Sequence, residues 1–166
     1  MSLNLIRDRQ LVAHDYPLLA DDAALPASGT LTVTLARWRQ DGEALRAPGL
    51  AVGVRIPNTV DVADVWAEVS DRPMINLEFP GFADGRAYSQ ARVLRDRYGY
   101  RGEIRASGGA VVRDQLHGMA RCGINAFELR PDQDPQVCLG AFEDFGLAYQ
   151  PAADHVTPVL RLRGRR

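Results

Sequence analysis

The residues of this chain best suited to chemistry are charged side chains at positions where buried strands normally carry apolar ones. The segments GLAVGVRIP, PMINLEFP, EIRAS and NAFELRP alternate apolar with polar residues, and the polar set includes Arg55, Glu78, Arg105 and Glu128. Aligned by the residues that end each segment, these four side chains fall near one level with alternating charge. Opposite charges on adjacent strands attract by about 0.2–1 kcal/mol per pair. The pattern predicts a polar sheet face with Arg–Glu pairs, although a solvated open face explains it too.

Two loops that follow these strands carry residue types that bind anions. In GFADGRAYSQAR, Arg86 lies in the predicted first helical turn, where the helix dipole disfavours a cation. A bound anion would relieve that conflict, and Asp84 would relieve it equally well. In ASGGAVVRDQL, two glycines open a helix with exposed backbone donors, a weak signal for an anion site. The predicted anion-binding residues are Arg86, Ser89, Arg105, Ser107, Gly108, Gly109 and Arg113.

The sequence lacks the residue patterns that are typical of catalytic, cofactor and metal sites. All 20 basic residues are Arg, which excludes a lysine Schiff base and a P-loop lysine. Cys122 and Cys138 lack CxxC spacing, and His14, His117 and His155 lack metal-ligand spacing, so we predict no metal site. Cys122 lies on the apolar side of its predicted helix, which favours a buried, inert thiol. No cofactor motif and no catalytic set is visible, so the catalytic residues stay unknown and no cofactor is predicted.

Length and charge limit the classes of protein. A chain of 166 residues with 46% hydrophobic and 25% charged residues is sufficient for a single domain. The net charge of -1 gives no sign of nucleic acid or a membrane surface as a partner. In MSLNLIRDRQLVAHDYPLL, charged residues 7–9 interrupt every apolar run. We therefore expect neither a signal peptide nor a membrane span, and a cytoplasmic location.

Strands alternate with helices along most of the chain. After an edge hairpin in the first dozen residues, LTVT is a predicted strand and LARWRQDGEAL a helix that places Leu35, Trp38 and Leu45 inward. The tail PVLRLRG is predicted as one more strand or an extended arm. Local signals for the other helices are a start at Asn58 or Thr59, a cap at Asp84, an end at Gly123 and a start at Asp134–Pro135.

Strands with one apolar and one polar face require helices on one side only, which excludes a doubly wound sheet. The predicted fold class is α/β, a mainly parallel sheet of repeated βα units with helices on one face, either partial TIM-barrel-like or a two-layer sandwich. A complete barrel needs about 250 residues. We predict one domain, with a hairpin or arm over 1–30, βα units over 31–145 and a C-terminal arm over 146–166. The N-terminal hairpin, the C-terminal arm or a second subunit should cover the polar face, and the last of these three alternatives predicts a homodimer.

Two long segments of the sequence and one short segment resemble a known family. They are FADGRAYSQARVLRDRYGYRGEIRA, VRDQLHGMARCGINAFELR and the late AYQP. The chain resembles the bacterial domain of unknown function 934, a family often labelled as an oxidoreductase of sulfite reduction. Its genes typically lie beside those of the sulfite reductase haemoprotein. The family pattern most often reads Gly-Asp-Val before Arg113–Gln115, whereas SGGAVV here lacks that Asp.

The resemblance implies a role in assimilatory sulfate and sulfite reduction. Because no electron-carrying motif is present, we favour an accessory protein that binds an oxyanion or nucleotide-like ligand, or docks on the sulfite reductase haemoprotein. One alternative is a cryptic enzyme that uses Arg86, Arg105 and Arg113 on a phosphorylated or sulfated substrate, or an oxidoreductase with a non-motif cofactor site. The other is a structural homodimer joined through the polar sheet face.

Overall fold

The protein is described by a computed structural model that covers residues 4–154 and 156–163. His155, one of the three histidines considered above, lies outside these residues. Seven strands form one sheet in the order β2-β1-β7-β6-β5-β4-β3, in which β3 to β7 run parallel and β1 is antiparallel to both of its neighbours. The strands are β1 Leu5–Arg7, β2 Gln10–Val12, β3 Gly29–Thr34, β4 Leu50–Ile56, β5 Met74–Glu78, β6 Glu103–Ser107 and β7 Ala126–Glu128.

Helices connect the parallel strands, as the alternating pattern predicts. Helix α3 continues directly into a π-helical turn, Val93–Arg97, and α5 into a short turn of tighter helix, Gly140–Phe142. None of the helices in the described residues is long and apolar enough to cross a lipid bilayer. The helices are α1 Leu35–Leu45, α2 Val62–Val69, α3 Arg86–Arg92, α4 Arg113–Arg121, α5 Pro135–Leu139 and α6 Val159–Arg163.

Local capping explains several helix starts. Thr34 accepts a hydrogen bond from the Arg37 backbone N–H and begins α1, and Asp134 with Pro135 begins α5, which confirms both predicted starts. The predicted start of α2 at Asn58 or Thr59 is wrong, because Asp61 is the residue that caps this helix. The prediction of a strand or an extended arm for the tail PVLRLRG is also wrong, because residues 159–163 form a helix.

The two faces of the sheet differ in chemistry. Apolar side chains from one face of β4 to β7, such as Val54, Ile75 and Ile104, form a buried core with the inner sides of α1 to α5. Polar side chains occupy the other face, where Arg105 is fully buried. The prediction of a mainly parallel sheet in an α/β fold, with one apolar and one polar face, is confirmed.

Residues 13–18 explain why the sheet curls. They connect Val12, at the end of β2 on one edge, to Leu18, which bridges Thr32 of β3 on the other edge. Six residues reach at most about 21 Å, whereas seven strands lying flat would separate these edges by roughly 29 Å. The sheet therefore curls into a half-barrel, with its polar face concave beneath the connecting segment. We call residues 14–18 the strap.

Candidate functional site

The concave face presents two rows of polar residues instead of one alternating ladder. Arg55, Asn76 and Arg105 lie side by side in register, followed by Ala126. Glu78, Ser107 and Glu128 are each two residues further along their strands. The predicted single level for the four charged residues is therefore wrong: Arg55 and Arg105 share one level, and Glu78 and Glu128 lie two residues further toward the carboxyl ends.

The fully buried Arg105 belongs to a closed ring of charges that joins the sheet to the strap. Arg105, with no exposed surface, places Nη2 2.9 Å from Asp15 Oδ1 and Nε 2.7 Å from Glu103 Oε1. Arg7 completes the ring, with Nη2 2.6 Å from Asp15 and Nε 2.7 Å from Glu103. Two guanidinium groups thus alternate with two carboxylates. Such a ring keeps each buried charge next to a charge of opposite sign, which the low dielectric of the interior requires.

The surroundings of the ring shift the pKa values of Asp15 and of the neighbouring Tyr16. Burial alone would raise the pKa of Asp15, but hydrogen bonds from Arg7 and Arg105 hold that pKa below its ordinary value. The Tyr16 ring lies 5.6 Å from the Arg105 guanidinium carbon, and burial, with the nearby carboxylates, raises the pKa of its hydroxyl. Asp15 is therefore ionised and Tyr16 neutral at physiological pH.

Beside the ring lies a small polar cavity near the carboxyl ends of the strands. Its volume is about 40 Å³, which is room for a few water-sized groups at most. Arg55 binds Glu78 diagonally, with Nη2 3.1 Å from Oε1, and the Ser107 hydroxyl donates to Asn76 Oδ1 at 2.7 Å. The cavity is lined by Tyr16, Leu18, Thr32, Arg55, Asn76, Ser107 and Glu128.

Two guanidinium nitrogens on this face are buried without an acceptor among the described residues. They are Arg55 Nε, next to the cavity, and Arg105 Nη1 in the same row. Arg7 Nε, by contrast, contacts Glu103 at an angle that makes an ion pair but no hydrogen bond. A buried donor without a partner costs about 1–3 kcal/mol, and more when it is charged. An external acceptor in the cavity would therefore lower the energy of the folded protein.

The strap is fixed over this face by hydrogen bonds to β3. Thr32 donates from its hydroxyl to the Tyr16 carbonyl at 3.0 Å, and from its N–H to the Pro17 carbonyl at 2.8 Å. At its other end, His14 Nε2 lies 3.2 Å from Glu128 Oε2 of β7, on the same concave face. The strap thus spans the concave face and carries Asp15 and Tyr16 to the buried Arg105.

The first predicted anion loop is placed on the helix side of the sheet. Arg86 is exposed and binds Asp84 through two contacts, with Nε 2.9 Å from Oδ1 and Nη2 2.6 Å from Oδ2. The hydrogen bond from Arg86 lowers the pKa of Asp84. Ser89 is exposed on the same helix. The predicted cap is corrected to Gly85, because Asp84 instead bonds the Arg86 side chain and, at 3.3 Å, its N–H.

Packing explains why the second predicted anion loop contains two glycines. Gly108 has a φ of 115°, and a Cβ there would lie 2.5 Å from the Phe79 carbonyl oxygen. A Cβ on Gly109 would lie 2.8 Å from the Pro80 carbonyl oxygen. Only glycine lets this loop pack against the end of β5. Arg113 binds Asp144 with a contact of 3.0 Å, so it ties α4 to the C-terminal segment rather than facing Arg105.

The remaining candidates show little reactivity. Burial raises the pKa of both thiols, Cys122 and Cys138, so neither is a thiolate at neutral pH. The Cys122 side chain is half-buried, so it is more exposed than the buried thiol that the sequence predicts. Within residues 4–154 and 156–163, no three His, Cys, Asp or Glu side chains are grouped so as to hold a metal ion.

Several residues at this site were missed by sequence reasoning. The alternation that singled out Glu78 and Arg105 also places Asn76 and Glu103 on the same face, and could have identified them. Asp15 and Tyr16 had no such signal, because they lie in an irregular segment whose partner Arg105 is 90 residues away.

Comparison with known proteins identifies the family. A family model described as "Bacterial protein of unknown function (DUF934)" matches residues 53–160, well over half of the chain. The chain belongs to this family. The match confirms the resemblance seen in the sequence. The DUF934 region includes the second half of β4 and all of β5 to β7, and hence Arg55, Asn76 and Arg105, but excludes the strap. Searches of curated proteins and of solved structures found no match.

Proposed function

We propose that this DUF934 protein binds a small oxyanion in the cavity of the concave face and acts as an accessory protein in sulfite reduction. The observation that carries the proposal is the buried Arg55 Nε in the cavity wall, which has no acceptor among the described residues; Arg105 Nη1, in the same row but outside the cavity lining, also has none there. Oxyanions such as sulfite, sulfate and phosphate present the acceptor oxygens that guanidinium groups bind best.

The size and the neighbouring groups of the cavity support a small ion. A volume of about 40 Å³ excludes a nucleotide or a flavin. The Ser107 hydroxyl and the Asn76 amide lie in the cavity wall as further hydrogen-bonding groups. Sulfite is the ion that the sequence resemblance implies, and phosphate would make the same contacts.

The fold supports a finer proposal on architecture. Strands β3 to β7 are neighbours in chain order and run parallel, as in a (βα) barrel. The cavity lies toward the carboxyl ends of these strands, where barrel proteins bind their ligands. We therefore propose that the half-barrel is a partial TIM-barrel-like fold, closed on its open side by the strap.

Thermal unfolding with added anions tests the binding site. We expect sulfite or phosphate, against sodium chloride of equal ionic strength, to raise the melting temperature, because ligand at a hundred times its Kd stabilises by about 2.7 kcal/mol. Arg55→Gln should abolish the shift. The matched control is Arg39→Gln, which removes an exposed Arg–Glu pair of α1 and should retain it. Equal shifts in wild type and Arg55→Gln, or none in either, would refute the proposed site.

A second experiment tests the accessory role. A tagged copy purified from cells grown on sulfate should recover the sulfite reductase haemoprotein, which would also support the cytoplasmic location. Failure to recover it, together with normal sulfite reductase activity in a deletion strain, would refute the role and leave anion binding standing. A homodimer through the polar face has less support, because the strap of the same chain already covers that face.

The predicted enzyme alternative has weaker geometric support. Arg105 faces the concave side, whereas Arg86 and Arg113 lie on helices of the other side and bind different carboxylates. An oxidoreductase with a non-motif cofactor is tested by the absorbance spectrum of the purified protein. A flavin or haem band in that spectrum would replace the accessory proposal.

A further inference from the structure

A second concave region lies at the opposite end of the half-barrel, where the parallel strands begin. Two adjoining hollows of about 360 Å³ and 690 Å³ are bounded by the β1–β2 turn, the end of α4, residues 142–154 and Val156. Both hollows are lined by Arg9, Ala120, Phe142 and Asp154, so they form one continuous depression. We call it the amino-end cleft. Each hollow falls within the size range of small-molecule sites, about 300–1,000 Å³.

One wall of the cleft is apolar and lacks cover. Phe145, Leu147 and Tyr149 alternate along the segment after Phe142 and are 66%, 65% and 77% exposed. All three line the larger hollow, and the Phe145 ring lies 5.0 Å from that of His117 on α4. A run of large exposed apolar side chains marks a binding surface more often than chance exposure.

The other wall presents two arginines that have no acidic partner within the described part of the chain. Arg9 and Arg101 are exposed, and neither lies within 4.0 Å of a carboxylate of the described residues. The nearby acids are already engaged: Asp154 accepts two bonds of 2.9 Å from Arg121. Asp8 accepts a bond of 3.2 Å from the Asn125 amide. The two guanidinium groups therefore remain available for an anion from outside the chain.

The position of Arg9 is one where arginine is unfavourable. Asp8 and Arg9 form the two-residue turn between β1 and β2, with φ of 48° and 63°. Turns of this kind favour Asn or Asp at the first position and Gly at the second. An arginine with positive φ is strained, and residues held in such strain cluster at functional sites, which makes Arg9 a candidate for a binding role.

We propose that the amino-end cleft binds a small molecule in which an anionic group is attached to an aromatic or apolar body. The anionic group lies between Arg9 and Arg101, and the body lies against Phe142 and the segment that carries Phe145 and Tyr149. This site is separate from the cavity of the concave face, and it does not depend on the proposed oxyanion.

Fluorescence titration with anilinonaphthalene sulfonate, an aromatic body with one sulfonate group, tests the cleft. We expect saturable binding of one molecule per chain. Arg9→Gly and Arg101→Gln should each raise the Kd about tenfold, because each removes a charged hydrogen-bond donor. The matched control is Arg97→Gln, which removes an exposed arginine outside the cleft and should leave the Kd unchanged.

The melting temperature separates a binding role of Arg9 from a structural one. Arg9→Gly should raise it by about 2–4 °C, since glycine relieves the strain of the turn, while binding weakens. Competition by adenosine monophosphate or by octanoate supports the site and identifies the body as aromatic or aliphatic. Equal Kd values in wild type, Arg9→Gly and Arg101→Gln would overturn the proposal and leave the apolar wall as a surface for a protein partner.

Discussion

The concave face and the amino-end cleft use arginine in opposite ways. On the concave face, Arg105 and Arg7 are held by Asp15 and Glu103 in a closed ring of ion pairs. In the amino-end cleft, Arg9 and Arg101 line an open surface without a carboxylate partner among the described residues. The side chain is the same, and its partners decide its role. A paired, buried guanidinium fixes the strap, whereas an unpaired, exposed one is available to a ligand.

The comparison also separates two kinds of energetic contribution. Inside the ring, removal of the fully buried Arg105 leaves two partly buried carboxylates with Arg7 as their one remaining ring partner, so the effect on folding is large. At an exposed surface, solvent and salt screen the charge, so the effect on folding is small. Substitutions of arginine should therefore divide into those that unfold the protein and those that alter only binding.

The largest effect is expected for Arg105→Leu. It leaves Asp15 and Glu103 with Arg7 as their shared partner in a buried setting, which costs about 3–5 kcal/mol in the free energy of unfolding. Urea denaturation measures this loss. Arg130→Leu is the control, since Arg130 is an exposed arginine paired with Asp132 and should leave the midpoint unchanged. A loss below about 1 kcal/mol for Arg105→Leu would contradict the ring as a source of stability.

The next effect concerns the loop between β6 and α4. Gly108→Ala should destabilise by about 2 kcal/mol, because the new Cβ meets the Phe79 carbonyl and the φ is positive. Gly81→Ala is the matched control, since a Cβ there meets nothing within 4 Å. Urea denaturation of both variants measures the difference. Equal stability would mean that the loop relaxes, which would reopen the reading of these glycines as an anion site.

A smaller effect is expected from the acidity of Asp15. Its folded-state pKa lies below the ordinary value of 3.8. The stability that its carboxylate contributes is fully present above pH 3.8 and is lost as the pH falls through the folded-state pKa. Asp15→Asn should therefore be less stable than wild type at pH 7, with a difference that shrinks in acid. Urea denaturation between neutral and strongly acidic pH checks this, and a difference independent of pH would contradict it.

The smallest effect is expected for Arg86→Gln. Arg86 and Asp84 form an exposed pair within one loop, so the melting temperature should stay unchanged. Binding of sulfite or phosphate should also stay unchanged, because this arginine is on the helix side of the sheet. A loss of anion binding in Arg86→Gln would move the binding site from the concave face back to the start of α3.

The sequence predicts the half of the fold that depends on local periodicity. The alternation in AVGVRI and INLEF assigns Val54 and Ile75 to the helix side and Arg55 to the polar side, because side chains alternate at every residue of a strand. Register is different, since it depends on how far each strand is shifted against its neighbour. The residues that end the strands are not level in the sheet, so Arg55 lies beside Asn76 instead of Glu78.

The candidate site was only partly predictable for a related reason. Arg105 and Ser107 were identified because they interrupt an apolar strand. Asp15, the partner of Arg105, lies in a segment without periodicity, and the contact between them joins residues 90 positions apart. The prediction that Arg86 binds an anion depended on the helix dipole, which disfavours a cation at the start of a helix. The neighbouring Asp84 carboxylate provides the compensating negative charge instead.

The strap has a consequence for the order in which the chain assembles. Strand β1 pairs with β7, and Asp15 binds Arg105, so the earliest part of the chain is completed only by parts made much later. During synthesis, strands β3 to β6 can add to one another as they leave the ribosome, because each pairs with the strand just before it. Strand β1 must wait for β7 and Asp15 must wait for β6, whereas the end of the strap can bond β3 earlier. Until Asp15 binds, the buried arginine of β6 stays in water, and docking of the N-terminal residues is the step that withdraws it.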